Sequence, residues 1–236
     1  MGKLDNLFGS DNIMEKVSGL DFIISPRAYF CINTTGAEVL VRTVAEMAGL
    51  HRNMTLLDIC CGSGAIGLSL ASRVGNVRRY LLILITMSQM SDVYSYCLQV
   101  LGVDMAADAV DDARRNALNN KISNAYFIPG PAEDMIPQMI GQASHDEIVA
   151  VLDPPRAGLH MKAIRQIRAS RIKKVVFVSS DPKSCIKNFV DLARPSSTTF
   201  FGDPFLPVSV SLSNTLSPLS LTLSGVSPAS GPVSSH

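Results

Sequence analysis

The chain has 236 residues, of which 47% are apolar, with a formal net charge of +1. That length holds one sizeable α/β domain with a short appendage, and the near-neutral charge gives no global basic field for nucleic acid, although a local patch can still serve. Five cysteines at scattered positions fit neither a disulfide framework nor a zinc site, which points to a reducing, intracellular compartment, cytoplasmic or nuclear. No signal-peptide pattern opens the chain, and the longest apolar run, Tyr80–Met87, is too short to span a bilayer. Residues 1–20 show little periodicity, and a short apolar run over Asp21–Ser25 stops at Pro26. Thr35 with Glu38 reads as a capping box opening a helix that ends at Gly49. A strand, Met54–Ile59, a Gly-rich turn and a small-residue helix, Ala65–Ala71, follow.

Further on, the pattern alternates. Strands are expected at Val100–Asp104, Ala125–Ile128, Glu147–Leu152 and Lys174–Ser179. Helices are expected from Ala106 to Asn119, briefly after Pro131 with a break at Pro137, over Met161–Ser170 and over Ser184–Ala193. This predicts an α/β fold with an open, mostly parallel sheet, right-handed crossovers and helices on both faces. Two stretches break the pattern. Residues 76–99 read as an insertion, and residues 196–236, rich in Ser, Pro and Leu with Asp203 the only Asp, Glu, Lys or Arg, read as a disordered tail.

The turn Asp58-Ile59-Cys60-Cys61-Gly62-Ser63-Gly64-Ala65-Ile66-Gly67 carries the first chemical signal. Gly62 and Gly64 let a ligand approach the backbone, and the run matches G-x-G-x-x-G. Asp58 lies before the first glycine, where it can approach the amino-acid part of adenosylmethionine. A dinucleotide site would place glycine straight after the strand. Asp104 ends the next strand and suits a ribose diol once the 76–99 segment is removed from the spacing. Asp153 ends another strand and can accept from a substrate base or the cofactor. Asp134 follows a fourth strand and suits adenine. Lys162, Arg165 and Arg168, three apart on one helix, form a stripe that could meet RNA phosphates or simply be a solvated face.

Four runs occur in family order: Tyr29-Phe30-Cys31-Ile32-Asn33-Thr34, the Asp58–Gly64 turn, Val151-Leu152-Asp153-Pro154-Pro155-Arg156-Ala157-Gly158-Leu159, and Val178-Ser179-Ser180-Asp181-Pro182. With them the chain resembles the TrmA-type RNA uracil-C5 methyltransferases over roughly residues 18–195, the insertion excepted. The resemblance implies a class I, Rossmann-like methyltransferase core over 36–195, a linking segment with a cofactor-contact strand over 1–35, S-adenosylmethionine as cofactor and RNA, with tRNA the expected kind, as partner, without metal or membrane. It places cofactor contacts at Cys31, Cys60, Asp104 and Asp153, to which the residues' own positions add Asp58, Gly62, Gly64 and Asp134; RNA contacts are expected at Arg156, Lys162, Arg165 and Arg168. In the family a cysteine thiolate adds to C6 of uracil, C5 takes the methyl group, and a base removes the C5 proton.

The chain departs from that pattern. Ser180 stands at the nucleophile position, and Cys31 stands where the family carries Gln. The family's last segment, with its catalytic Glu, is replaced by the Ser/Pro-rich tail, and its N-terminal RNA-binding domain has no counterpart. The expectation is a gene product with a read-through at 76–99 and a lost frame after about 195, impaired or inactive as an enzyme. The alternatives are a non-catalytic adenosylmethionine-binding module and a dinucleotide-dependent oxidoreductase.

Overall fold

The computed structural model describes residues 9–31, 33–75, 99–198, 201–213 and 220–226. Of the 76–99 insertion, residues 76–98 lie outside the described residues, and Gln99 already belongs to a strand. A hairpin opens the described chain: β1 (Ile13–Val17) pairs antiparallel with β2 (Leu20–Ile24). Its two-residue turn has Ser18 and Gly19 both at positive φ, 53° and 80°, the geometry whose twist matches a tight hairpin.

Helix α1 (Thr34–Ala48) starts two residues earlier than the Thr35–Glu38 pattern suggests. Its cap is Asn33, whose Oδ1 accepts from Gly36 N at 2.9 Å. Glu38 does not close a capping box; its Oε1 accepts from Ser18 N at 2.8 Å and ties the hairpin turn to the helix.

The remaining elements alternate: β3 (Met54–Ile59), α2 (Ala65–Gly75), β4 (Gln99–Asp104), α3 (Ala107–Asn119), β5 (Ala125–Pro129), α4 (Ala132–Gln142), β6 (Glu147–Leu152), α5 (Met161–Arg168), β7 (Ile172–Ser179), α6 (Ile186–Ala193), β8 (Leu206–Ser213) and β9 (Ser220–Val226). The sheet runs β5-β4-β3-β6-β7-β9-β8. Its first five strands are parallel, and β9 and β8 close it antiparallel. Helix α4 continues through Pro137 rather than breaking there. Proline removes a single i to i−4 bond, and Ile136 and Met139 on either side are fully buried, so packing outweighs that loss.

The tail differs from its composition. Within 196–236, two segments pair as strands on the edge of β7. Val208, Val210 and Leu212 alternate with Ser209, Ser211 and Ser213, a period-two pattern that low charge and serine content obscure. Phe205 is buried, and its N–H donates to Leu192 O at 3.0 Å, which brings the chain from α6 to β8.

Both sheet faces are covered, as a parallel sheet requires. Leu57, Ile59, Leu101, Val103, Ile148 and Leu152 face α4, α5 and α6. Leu56, Val100, Val149, Val151 and Val176 face α1 and α2. Among the described residues, no helix is long and apolar enough to cross a membrane.

Hairpin and helix α3 meet through side chains. Asp112 and Asn116 on α3 and Asn120 at its C-cap stand four residues apart, a rise of about 6 Å, close to the ~6.7 Å between alternate residues of a strand. They serve β2 as a neighbouring strand would. Asn120 Oδ1 accepts from Asp21 N at 3.0 Å and its Nδ2 donates to Asp21 O at 2.7 Å. Asn116 does the same at Ile23, at 2.7 and 3.1 Å. Asp112 accepts from Ser25 N at 2.7 Å and from Ser25 Oγ at 2.8 Å.

Candidate functional site

The carboxyl ends of β3, β4 and β6 lie side by side because their registers run together: Asp58 is level with Gly102 and with Val151. The chain leaves β3 through Cys60, which adopts φ 68°, a left-handed conformation costly for a residue with a Cβ. Two bonds hold it there. Cys60 N and Cys61 N both donate to Val103 O, at 2.9 and 3.0 Å. Gly62 and Gly64 follow at φ 53° and 83°. A Cβ on Gly62 would stand 3.4 Å from Tyr29 O, so the Tyr29–Cys31 segment passes over this turn.

Asp104 is half-buried and accepts from Gly62 N through Oδ2 and from Ala106 N through Oδ1, both at 2.9 Å. It therefore fixes the glycine turn to the start of α3 and keeps further lone pairs for a ligand hydroxyl. Asp153 continues the pairing beyond β6, its N–H donating to Ile59 O at 3.1 Å, which sets its carboxylate beside the same turn. Asp58 is fully enclosed. Its Oδ2 accepts from Gly67 N at 2.9 Å, and its Oδ1 has no hydrogen-bond partner. A Cβ on Gly67 would come within 2.7 Å of that Oδ2, so the third glycine makes this contact possible.

The three acids act on one another. Burial, then the Asp153 and Asp104 charges, push Asp58 up to about 7 against the bond from Gly67. Burial and Asp104 push Asp153 up to about 7. Burial together with Asp104, Asp153, Asp58 and Glu133 pushes the Cys60 thiol up to about 12, so it stays protonated and is no nucleophile.

Other expected positions fall elsewhere. Cys31 spends its thiol on Asn33 O at 3.4 Å. Asp134 is exposed and held by Lys162 Nζ at 2.6 Å, while its neighbour Glu133 is the acid that acts on Cys60. Arg168 is buried, with Nη1 donating to Asp191 O at 2.8 Å and Nη2 to Gly202 O at 3.1 Å, so it leaves the expected basic stripe. Lys162, Arg165 and Arg156 are exposed. Ser180 is exposed at the end of β7, and Cys185 is buried, its Sγ accepting from Ser179 Oγ at 3.4 Å.

Asn116 and Asn188 gave no sequence signal, and Tyr29 entered only as part of the Tyr29–Thr34 run. Asn116 Nδ2 also donates to Ser63 O at 3.2 Å and so binds the hairpin to the glycine turn. Asn188, buried on α6, accepts from Leu159 N at 2.7 Å and donates to Leu159 O at 3.0 Å, anchoring the loop after Asp153. Exposed Tyr29 lies near enough to Asp153 and Arg156 for both to act on its phenol electrostatically.

The Asn188 anchor makes a direct prediction. Gly158 has φ 75°, and a Cβ there would meet Asn188 Oδ1 at 2.4 Å. Gly158→Ala is expected to lower unfolding free energy by about 1–3 kcal/mol in urea titration, since both the backbone and the anchor resist it. A change under about 0.5 kcal/mol would show the anchor to be slack.

Residues 50–199 match the model of a family described as a methyltransferase domain. The chain is 43% identical over 206 residues to tRNA (uracil-5-)-methyltransferase homolog A of Mus musculus, covering 87% of this chain and 30% of that protein. It is 40% identical to homolog B of the same organism, covering 85% of this chain and 37% of that protein. The chain thus spans about a third of the length of the curated relatives it matches. The crystal structure of Pyrococcus abyssi tRNA (uracil-54, C5)-methyltransferase in complex with S-adenosyl-L-homocysteine superposes with a TM-score of 0.63 at 21% identity, covering 93% of this chain and 45% of that one. At that identity the likeness speaks for the fold.

Proposed function

The chain belongs to the methyltransferase-domain family, and from there we propose that it is the S-adenosylmethionine-binding core of a tRNA uracil-C5 methyltransferase. The observation that carries this reading is the meeting of Asp58, Asp104 and Asp153 around the Cys60–Gly64 turn, with a buried Asp58 oxygen left without a donor. Such an oxygen fits a cationic ligand better than a neutral one. The mammalian relatives named above are tRNA (uracil-5-)-methyltransferases at about 40% identity, which supports uridine in tRNA as the substrate class.

When bound, adenosylmethionine supplies an electrophilic methyl group. Asp104 would hold the ribose diol while keeping Gly62 N–H in place. Asp153 would face the reacting centre from the rigid Asp153-Pro154-Pro155 corner. Gly62 and Gly64 would let the ligand approach the backbone, and the Tyr29–Cys31 segment would cover it from the other side. Lys162, Arg165 and Arg156 would take phosphates, without Arg168. The adenine contact would fall to Glu133, which is more buried and lies 3.8 Å from His160 Nδ1, rather than to exposed Asp134, which Lys162 holds at 2.6 Å.

Ser180 argues for a chain that binds its cofactor and transfers the methyl group poorly. A serine hydroxyl ionises far less readily than a thiol, and the uracil ring needs an attacking anion. This favours the cofactor-binding module as the reading of this exact chain. Calorimetry is expected to show adenosylmethionine binding and no NAD binding, because Cys60, where a dinucleotide site would place glycine, follows β3 directly. Methyl transfer to unmodified tRNA is expected to be undetectable with Ser180 in place. NAD binding without adenosylmethionine binding would replace this reading with the oxidoreductase one, and rapid tRNA methylation would remove the assignment of a weak nucleophile.

A further inference from the structure

Resting on the cofactor reading above, we propose that the Asp58–Asp104–Asp153 group senses the charge on the ligand's sulfur, preferring the cationic sulfonium to the neutral thioether product and releasing a proton as the sulfonium binds.

The three carboxylates come from adjacent strand ends, and none of them takes part in an ion pair among the described residues. No positively charged group is among those that shift Asp58 or Asp153. From α2, Asp58 receives only the Gly67 N–H. From β4 and β6 it meets Asp104 and Asp153. Its own turn contributes the Cys60 and Cys61 thiols, on which all three acids or two of them act. Helix α4 adds Glu133, another acid, at Cys60, with His160 Nδ1 3.8 Å from its carboxylate. The segment above contributes the Tyr29 phenol and the Cys31 thiol, with Arg156 near Tyr29. A second observation points to a ligand: Asp58 is 0% exposed, and its Oδ1 has no donor. Such an atom is relieved by a proton or by a neighbouring positive charge.

Proton and sulfonium therefore compete for the same relief. With Asp58 and Asp153 both held up to about 7, this pair is largely protonated at mildly acidic pH and largely ionised at mildly alkaline pH. Only the ionised group distinguishes a cation from a neutral sulfur. Methyl transfer removes the ligand's positive charge, so the crevice that holds the cofactor favours release of its product above neutrality.

The test is isothermal titration of the full chain with S-adenosylmethionine and S-adenosylhomocysteine at about pH 5.5 and about pH 8. The preference for the sulfonium ligand is expected to grow roughly tenfold between the two. Repetition in buffers of different ionisation enthalpy is expected to show proton release with the sulfonium and less with the thioether. A preference that does not change with pH, or equal proton release for both ligands, overturns the proposal while leaving the cofactor reading intact. Binding of neither ligand overturns both. Asp153→Asn is expected to flatten the pH dependence of the preference. An unflattened dependence in that variant would show that the group is not the sensor.

Discussion

Replacing Asn116 by leucine is expected to lower the folding free energy by about 3–5 kcal/mol, among the largest effects of any single change in this chain. The side chain is fully buried and makes three hydrogen bonds, two to Ile23 and one to Ser63. Leucine has similar volume, so no cavity contributes; the loss is that of part-buried Ile23 N–H and C=O and buried Ser63 C=O left without these partners. Each such orphan costs about 1–3 kcal/mol. Asn116→Asp keeps the acceptor for Ile23 N but loses both donations, and is expected to fall between leucine and the unchanged chain. Urea unfolding of the three proteins checks the order. A leucine variant within about 1 kcal/mol of the parent would mean that the hairpin is not held by this residue.

Asp58→Asn is expected to make the fold more stable at about pH 8 and the cofactor much weaker. The free carboxyl titrates at 3.8, whereas the folded one keeps its proton up to about 7. Unfolding is therefore favoured progressively as pH rises from about 4 to about 7, and above that window the whole penalty persists. Asparagine retains an acceptor for Gly67 N and removes the charge, so it recovers stability on the order of 2–4 kcal/mol at alkaline pH. Below about pH 4 the carboxyl is neutral in both states, and the two proteins are expected to unfold together. The same substitution removes one of the negative charges awaiting the sulfonium, and adenosylmethionine affinity is expected to drop at least tenfold. Thermal unfolding across pH, with and without ligand, separates the two effects. A variant less stable than the parent at pH 8 would contradict the argument, because it would show Asp58 to be stabilising in its ionised form.

Much of this was readable from residues alone, and for a physical reason. The strand ends at Asp58, Asp104 and Asp153 stand out because an acid directly after a buried apolar run conflicts with continued burial. The alternating elements and the parallel sheet followed from periodicity, and the family comparisons bear out that fold and lineage. What stayed hidden depends on partners distant in sequence. The capping role of Asn33, rather than the Thr35–Glu38 pair, is set by Glu38 reaching Ser18. Arg168 looks like the end of a basic stripe at helical spacing, yet carbonyls of Asp191 and Gly202 draw it inward. Asp134 and Glu133 are adjacent and chemically alike, so only their orientation shows which is engaged by Lys162 and which acts on Cys60. The two strands beyond Phe205 were masked by composition, since serine-rich alternation resembles an unstructured linker until an open sheet edge is there to receive it.

The row of Asp112, Asn116 and Asn120 carries a kinetic consequence. A strand neighbour can zip on residue by residue, but these three side chains line up only once α3 has wound through two full turns. The hairpin can then gain its rungs only as a late, concerted step. Its amides should accordingly exchange with solvent as one group, at the rate with which the helix and β2 part company.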